Sequence, residues 1–312
     1  MDKKLERLQV SLPHSNGELL LKNPLLTASG TFGYGLEFAA YGNLTELGGI
    51  VTKGLSLKPR PGNPTPRIAE TTAGMLNAVG LQNCGIEEFV TNYLPRLPVQ
   101  ELPVIANIYA DNRADFASLA RILGETPGVA ALEVNISCPN VSCGGVLFGQ
   151  DPVEAAKVTE AVKKAAGNLP VIIKLSPNVT DITQIAKACE GAGADMISCI
   201  NTITGMAVDL RKRVPLLANI TGGLSGPAIK PVALRCVWQV ARAVKIPVIG
   251  LGGISSAEDI LEFILVGAHA VQIGTANFQR PDRAFHLVRE LADLMERLGI
   301  NNLDNFRGSL QV

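Results

Sequence analysis

The chain predicts an α/β fold: a (β/α)8 TIM barrel with an N-terminal β-hairpin and long loops over the C-terminal mouth. Three observations predict it. Eight short runs, "NPLLTASG", "GGIVTKG", "PVIANIY", "ALEVNIS", "PVIIKLS", "MISCIN", "PVIGLGG" and "AVQIGT", are apolar on both faces and rich in Val and Ile. Parallel strands covered by helices have that pattern. Longer amphipathic runs alternate with them, as βα units require. The length of 312 residues suits one such barrel, read here as a single domain over 1–312.

The elements follow in order. "LERLQVSL" and "GELLLKN" flank the turn "PHSNG" and read as a hairpin closing the barrel's lower end. Asp111–Leu123 reads as a helix with Asp111 as N-cap. Asp151–Ala166 has Asp151 as N-cap and Pro152 at the first helical position. Ser256–Ala268 has a serine before an acidic first turn. Two connections are too long for simple turns: Leu55 to about Gln82, rich in Pro and Gly, and about Thr202 to Gly226. Long loops after barrel strands lie on the catalytic face and often cover a ligand.

Composition excludes several classes. Hydrophobic residues make up 47%, enough for a large core, and Lys+Arg balances Asp+Glu at 28 each. A neutral chain without a basic run gives no electrostatic case for nucleic acid or an anionic membrane. No window has the apolar length of a membrane span, and the N-terminus lacks a signal-peptide core. The expectation is a soluble, cytoplasmic protein. The six cysteines, Cys84, Cys138, Cys143, Cys189, Cys199 and Cys236, are scattered as free thiols of a reducing compartment would be.

Polar residues at the C-terminal ends of barrel strands face the active-site mouth. Here they are Ser29, Lys53, Asn107, Asn135, Lys174, Asn201 and Thr202. No carboxylate or histidine is among them, which argues against acid–base chemistry built on His or Glu. Lys53 and Lys174 follow apolar runs, where an unpartnered ammonium is costly. One of them could form a Schiff base, or both could donate to an electron-rich ring that gains negative charge. The second reading is favoured, because no neighbouring carboxylate is evident. Asn77, Asn107, Asn135 and Asn201 offer donors and acceptors together. A single asparagine of this kind is best read as a loop tie. Four suit a ligand with alternating C=O and N–H groups, such as a pyrimidine or a flavin edge. "GLGGISS" and "IGTANF" follow strands seven and eight, where barrels often seat phosphate. Gly252, Gly253, Gly274 and Thr275 are placed for this, with Gly226 just before another helix.

"EVNISCPNVSCGG" ends a strand on Asn135, Ser137 and Cys138, with Cys143 five residues on. A structural metal site needs about four ligands in close pairs. No second pair and no histidine accompanies these thiols, so no metal is expected. Cys138, just beyond the strand, is read as a base or nucleophile whose thiol works best with a lowered pKa. The other cysteines read as inert.

The strand-end residues, with "NAVGLQN", "NISCPN", "KLSPNVTD", "INT" and "ITGGLSGPAIKPVAL", resemble class 1 dihydroorotate dehydrogenases over nearly the whole chain. "NPTPR", "NAVGLQN" and "TGGLSGPAIKP" resemble the type B catalytic subunit, NAD-linked and FMN-containing, more than the fumarate-using homodimer. The resemblance implies one FMN per chain. Ser29, Lys53, Gly54, Asn107, Asn135, Lys174 and Ile200 would contact its ring or ribityl chain. Gly226, Gly252, Gly253, Gly274 and Thr275 would hold the chain and phosphate. Dihydroorotate would be held by Lys53, Asn77, Ala78, Val79, Gly80, Leu81, Asn135, Asn201 and Thr202. Cys138 would take the proton from the carbon beside the carbonyl while the adjacent carbon gives hydride to FMN. The product would be orotate, on the route to UMP.

The resemblance also implies a partner, an iron–sulfur flavoprotein carrying FAD and [2Fe-2S], and a homodimer core within a heterotetramer. The chain itself has no Gly-x-Gly-x-x-Gly after its first strand and no cysteine set for a cluster. The alternatives are an FMN barrel acting on another pyrimidine, a fumarate-linked dihydroorotate dehydrogenase, a Schiff-base lyase and a non-catalytic binding module.

Overall fold

The computed structural model describes residues 3–137 and 148–311. All eight predicted runs form strands: β1 (Leu25–Thr27), β2 (Ile50–Val51), β3 (Val104–Ile108), β4 (Ala131–Asn135), β5 (Val171–Leu175), β6 (Met196–Cys199), β7 (Val248–Leu251) and β8 (Ala270–Ile273). They pair in parallel in the order β1-β8-β7-β6-β5-β4-β3-β2. A parallel bridge between Leu26 and Gly49 closes the circle. Closure needs glycine: a Cβ on Gly48 would lie 2.1 Å from the Asn23 carbonyl oxygen. The Gly48 N–H donates to the Leu25 carbonyl at 2.9 Å, and the Val51 N–H to Thr27 Oγ1 at 3.2 Å.

Helices cover the outside because their apolar residues recur at helical spacing. In Arg113–Gly124, Phe116, Leu119, Ala120 and Leu123 are buried against the sheet. Burial of each large side chain stabilises by about 1.5–3 kcal/mol. The N-cap of this helix is Asn112, not Asp111. The Asp111 carboxylate is taken by Arg60 and the Tyr109 hydroxyl, so Asn112 Oδ1 accepts the Asp115 N–H at 2.9 Å instead. Asp151 caps Pro152–Ala165 as expected. Ser256 caps Ala257–Leu265 through a reciprocal capping box with Asp259, and that helix ends before the expected Ala268.

The hairpin pairs Val10–His14 with Gly17–Leu21. It docks at the N-terminal end of the strands, where the Ser15 N–H and hydroxyl donate to Asp195, the residue before β6. Lys163 Nζ lies 2.5 Å from the same carboxylate. Burial alone would raise the Asp195 pKa, but Lys163 and the backbone N–H donors hold it below the carboxylate range.

His269, just before β8, is partly buried, and its Nδ1 accepts the Val248 N–H at 3.3 Å. Burial first, and the Arg307 charge second, lower its pKa from 6.5 to about 4. The unfolded imidazole binds its proton near 6.5, the folded one only near 4. Stability is therefore full above pH 6.5 and falls by about 3 kcal/mol as the pH drops towards 4. Urea midpoints measured across this range should show the loss, and His269→Gln should flatten that part of the profile.

The two long connections differ from the loops read in the sequence. Ile68–Thr71, Gly74–Asn77, Ile203–Met206 and Thr221–Ser225 build a four-stranded antiparallel sheet over the mouth. Its central pairing sets Met75 against Ser225 and Asn77 against Gly223. The segments are rich in glycine because the chains cross closely. A Cβ on Gly74 would lie 2.0 Å from the Ser225 carbonyl oxygen, and one on Gly223 would lie 2.1 Å from Thr202 Oγ1.

Candidate active site

The strand ends and the mouth sheet enclose a cleft of about 600 Å³. Ligand sites usually fall within about 300–1,000 Å³. Every described residue of the predicted cofactor and substrate sets lines it: Ser29, Lys53, Gly54, Asn77 to Leu81, Asn107, Asn135, Lys174, Ile200 to Thr202, Gly226, Gly252, Gly253, Gly274 and Thr275. Cys138 and Cys143, with the loop to Gly145, lie outside the described residues.

The loop bearing Asn77 to Leu81 is held from two sides. Asn77 Nδ2 donates to the Gly223 carbonyl at 3.3 Å. Asn63 donates its N–H to Val79 and its Nδ2 to Ala78. The loop turns through Gly80, at φ +74°, and Leu81, at φ 56°. A leucine in this region is strained, and such strain persists only where the surroundings enforce it. Asn135 Oδ1 accepts the Asn201 Nδ2 at 3.2 Å, joining β4 to the second residue after β6. The Lys53 ammonium is half-buried. Burial first, and the charge of Arg67 second, hold its pKa below the lysine range.

Lys174 departs from the sequence expectation. It has a carboxylate neighbour, Glu133, at 3.4 Å, and the two side chains are almost wholly buried. Glu133 lies within β4, two residues before Asn135, so both side chains face the interior with Glu133 one layer deeper. It also accepts Asn107 Nδ2 at 2.8 Å, Ser198 Oγ at 3.0 Å and Gln272 Nε2 at 2.5 Å. Sequence reasoning passed over Glu133 and Gln272 because each is a single polar residue in an apolar run. It also passed over Ser176 and Asn178, although both stand in "KLSPNVTD" and line the cleft. Asn178 Nδ2 donates to the Thr202 carbonyl at 3.0 Å.

Also lining the cleft, Gly226 at φ +96°, Gly252 at φ +128° and Gly253 at φ +82° crowd together. A Cβ on Gly253 would lie 2.8 Å from the Gly226 carbonyl oxygen and 2.9 Å from the Lys230 nitrogen. Gly226 leads through the turn Pro227–Ile229 into helix Lys230–Ala243, and no side chain caps either start. Uncapped N–H groups at a helix start suit an anion.

These features fit a flavin with a phosphate tail. Asn107 Oδ1 and Gln272 Oε1 are buried without a hydrogen-bond partner. Both residues line the cleft, so an N–H donor of a bound ring has acceptors there. Among the described residues no cluster of three His, Cys, Asp or Glu could hold a metal. No helix among them is long and apolar enough to cross a membrane. Cys189 and Cys199 are buried, and burial pushes the Cys189 thiol up to about 12. Burial also raises Cys84, Cys199 and Cys236, consistent with inert thiols.

The family model for dihydroorotate dehydrogenase matches residues 8–295. The chain belongs to the dihydroorotate dehydrogenase family. Within that family it is 68% identical over 292 residues to the dihydroorotate dehydrogenase B (NAD(+)) catalytic subunit of Solidesulfovibrio magneticus, covering 94% of this chain and 95% of that one. It is 65% identical over 294 residues to the protein of the same name from Maridesulfovibrio salexigens, covering 94% and 96%. With the one from Trichlorobacter lovleyi the identity is 59% over 295 residues, covering 95% and 97%.

Proposed function

We propose that this chain oxidises dihydroorotate to orotate in pyrimidine biosynthesis, with FMN in the barrel mouth and NAD as final acceptor through a cytoplasmic partner subunit. The observation that carries the reading is the single cleft lined by every described residue of both predicted sets. FMN, when bound, accepts the hydride. The chain's own residues do the rest. Ser29, Lys53, Gly54, Asn107, Asn135, Lys174 and Ile200 hold the ring and ribityl chain. Gly226, Gly252, Gly253, Gly274 and Thr275 seat the phosphate with backbone N–H groups. Asn77, Asn135, Asn201 and Thr202, with the backbone of Ala78 to Leu81, orient the substrate ring, and Lys53 faces its carboxylate. Orientation of this kind supplies much of the rate. Cys138 takes the proton from the ring carbon beside the carbonyl.

Electron transfer to NAD falls to an iron–sulfur flavoprotein partner bearing FAD and [2Fe-2S], on a homodimer core. Support for a protein contact on the mouth side comes from Met206, Val208, Leu210, Val214, Leu216 and Ile220. All are exposed, Leu210 at 85%, within one excursion.

The deciding experiment is a visible spectrum. The purified protein should be yellow and should bleach when dihydroorotate is added without oxygen. A colourless protein that FMN cannot reconstitute would overturn the reading, as would bleaching by dihydrouracil in preference to dihydroorotate. Gly253→Ala tests the phosphate seat separately. The new methyl meets backbone on two sides at a positive φ, so FMN affinity should fall at least about tenfold. Titration of the apoprotein by FMN fluorescence measures it.

A further inference from the structure

We propose that Glu133 is a positioning residue: it fixes the hydrogen-bonding polarity of the cleft floor and offsets the charge of Lys174, holding down the midpoint potential of the bound flavin. The proposal rests on the FMN reading above and concerns a residue that does not itself line the cleft.

Glu133 is fully buried, and four strands besides its own send a group to it. Oε1 takes Asn107 Nδ2 from β3 and Lys174 Nζ from β5. Oε2 takes Ser198 Oγ from β6 and Gln272 Nε2 from β8. Both oxygens accept twice, so the carboxylate is met from four strands. The carboxylate thereby decides which way both amides turn. A flipped Asn107 or Gln272 would set oxygen against oxygen. Their remaining oxygens, Asn107 Oδ1 and Gln272 Oε1, are left buried and without a partner. Unpartnered buried acceptors carry a desolvation cost that a donor on a bound ligand removes. Glu133 thus leaves the floor with two acceptors from the amides and one cationic donor from Lys174.

Charge leads to the second consequence. A flavin gains negative charge on reduction, and the Lys174 ammonium at the cleft favours that state. Glu133 sits behind it and opposes it. In a low-dielectric interior this opposition is weakly screened. The pair as a whole is neutral, which keeps the flavin less oxidising than a lone lysine would make it.

Glu133→Gln keeps the shape, removes the charge and turns an N–H₂ towards groups that are themselves donors. Two changes are expected. The midpoint potential of bound FMN should rise by the equivalent of a tenfold shift in the two-electron equilibrium, about 30 mV, with sulfite affinity rising in parallel. FMN affinity of the apoprotein should fall about tenfold, because the floor amides lose their fixed orientation. Wild-type potential, sulfite affinity and FMN affinity in the variant would overturn the proposal. Failure of the wild-type apoprotein to bind FMN would instead overturn the FMN reading. The double variant Glu133→Gln, Lys174→Gln leaves no charge on the floor and keeps the test open if the single variant does not fold. Its potential should stay close to wild type, since a balanced pair has been removed. A tenfold shift towards oxidised FMN in the double variant would show that Lys174 acts without opposition, and would overturn the proposal.

Discussion

Replacing Cys138 with alanine should slow the reduction of bound FMN by dihydroorotate about 10²–10⁴-fold, the range that a positioned base supplies. FMN affinity should be unchanged, because the predicted flavin contacts come from other residues. Anaerobic stopped-flow at the flavin band measures both, with the bound spectrum as the control. Reduction near the wild-type rate would remove the thiol from the proton transfer. The described thiols offer no obvious substitute. Cys84, the one half-buried described thiol, has its pKa raised by burial, and its N–H is tied to the Tyr34 hydroxyl at 3.1 Å.

Lys174→Met should cost about 3 kcal/mol of stability, because removing one member of a buried pair strands the other. Methionine fills the space left by the lysine stem, so the loss reports charge and not a cavity. Urea unfolding should show a lower midpoint at unchanged slope. A variant as stable as wild type would mean that Ser198, Asn107 and Gln272 satisfy the Glu133 carboxylate by themselves.

The barrel was legible in the sequence because its signals are local. Short apolar runs mark all eight strands, seven of them carrying Val or Ile, and Asp151-Pro152 and Ser256 mark helix starts by chemistry within four residues. The mouth sheet was not legible. Its segments are short and rich in Gly and Thr, which reads as turn, and its partners, Met75 and Ser225, are 150 residues apart. The N-cap of the helix after β3 was misplaced by one residue for a similar reason. Asp111 is a good cap in isolation, but Arg60, distant in sequence, claims its carboxylate. At the site, the strand-end rule found the lysines and asparagines, since position on a barrel strand says where a side chain points. It could not find the Glu133 contacts, because Glu133 stands in mid-strand and meets Gln272 from 139 residues away in sequence.

The sheet over the mouth also bears on how such a protein can be recombined. Gly74–Asn77 and Thr221–Ser225 belong to excursions after different strands, yet each supplies the other's hydrogen bonds and leaves no room for a side chain at the crossing. The two excursions are one inheritable unit. A chimera that takes one from a relative and keeps the other would mismatch the crossing. The loop from Asn77 to Leu81 and the turn at Gly226, both of which line the cleft, would then be displaced together.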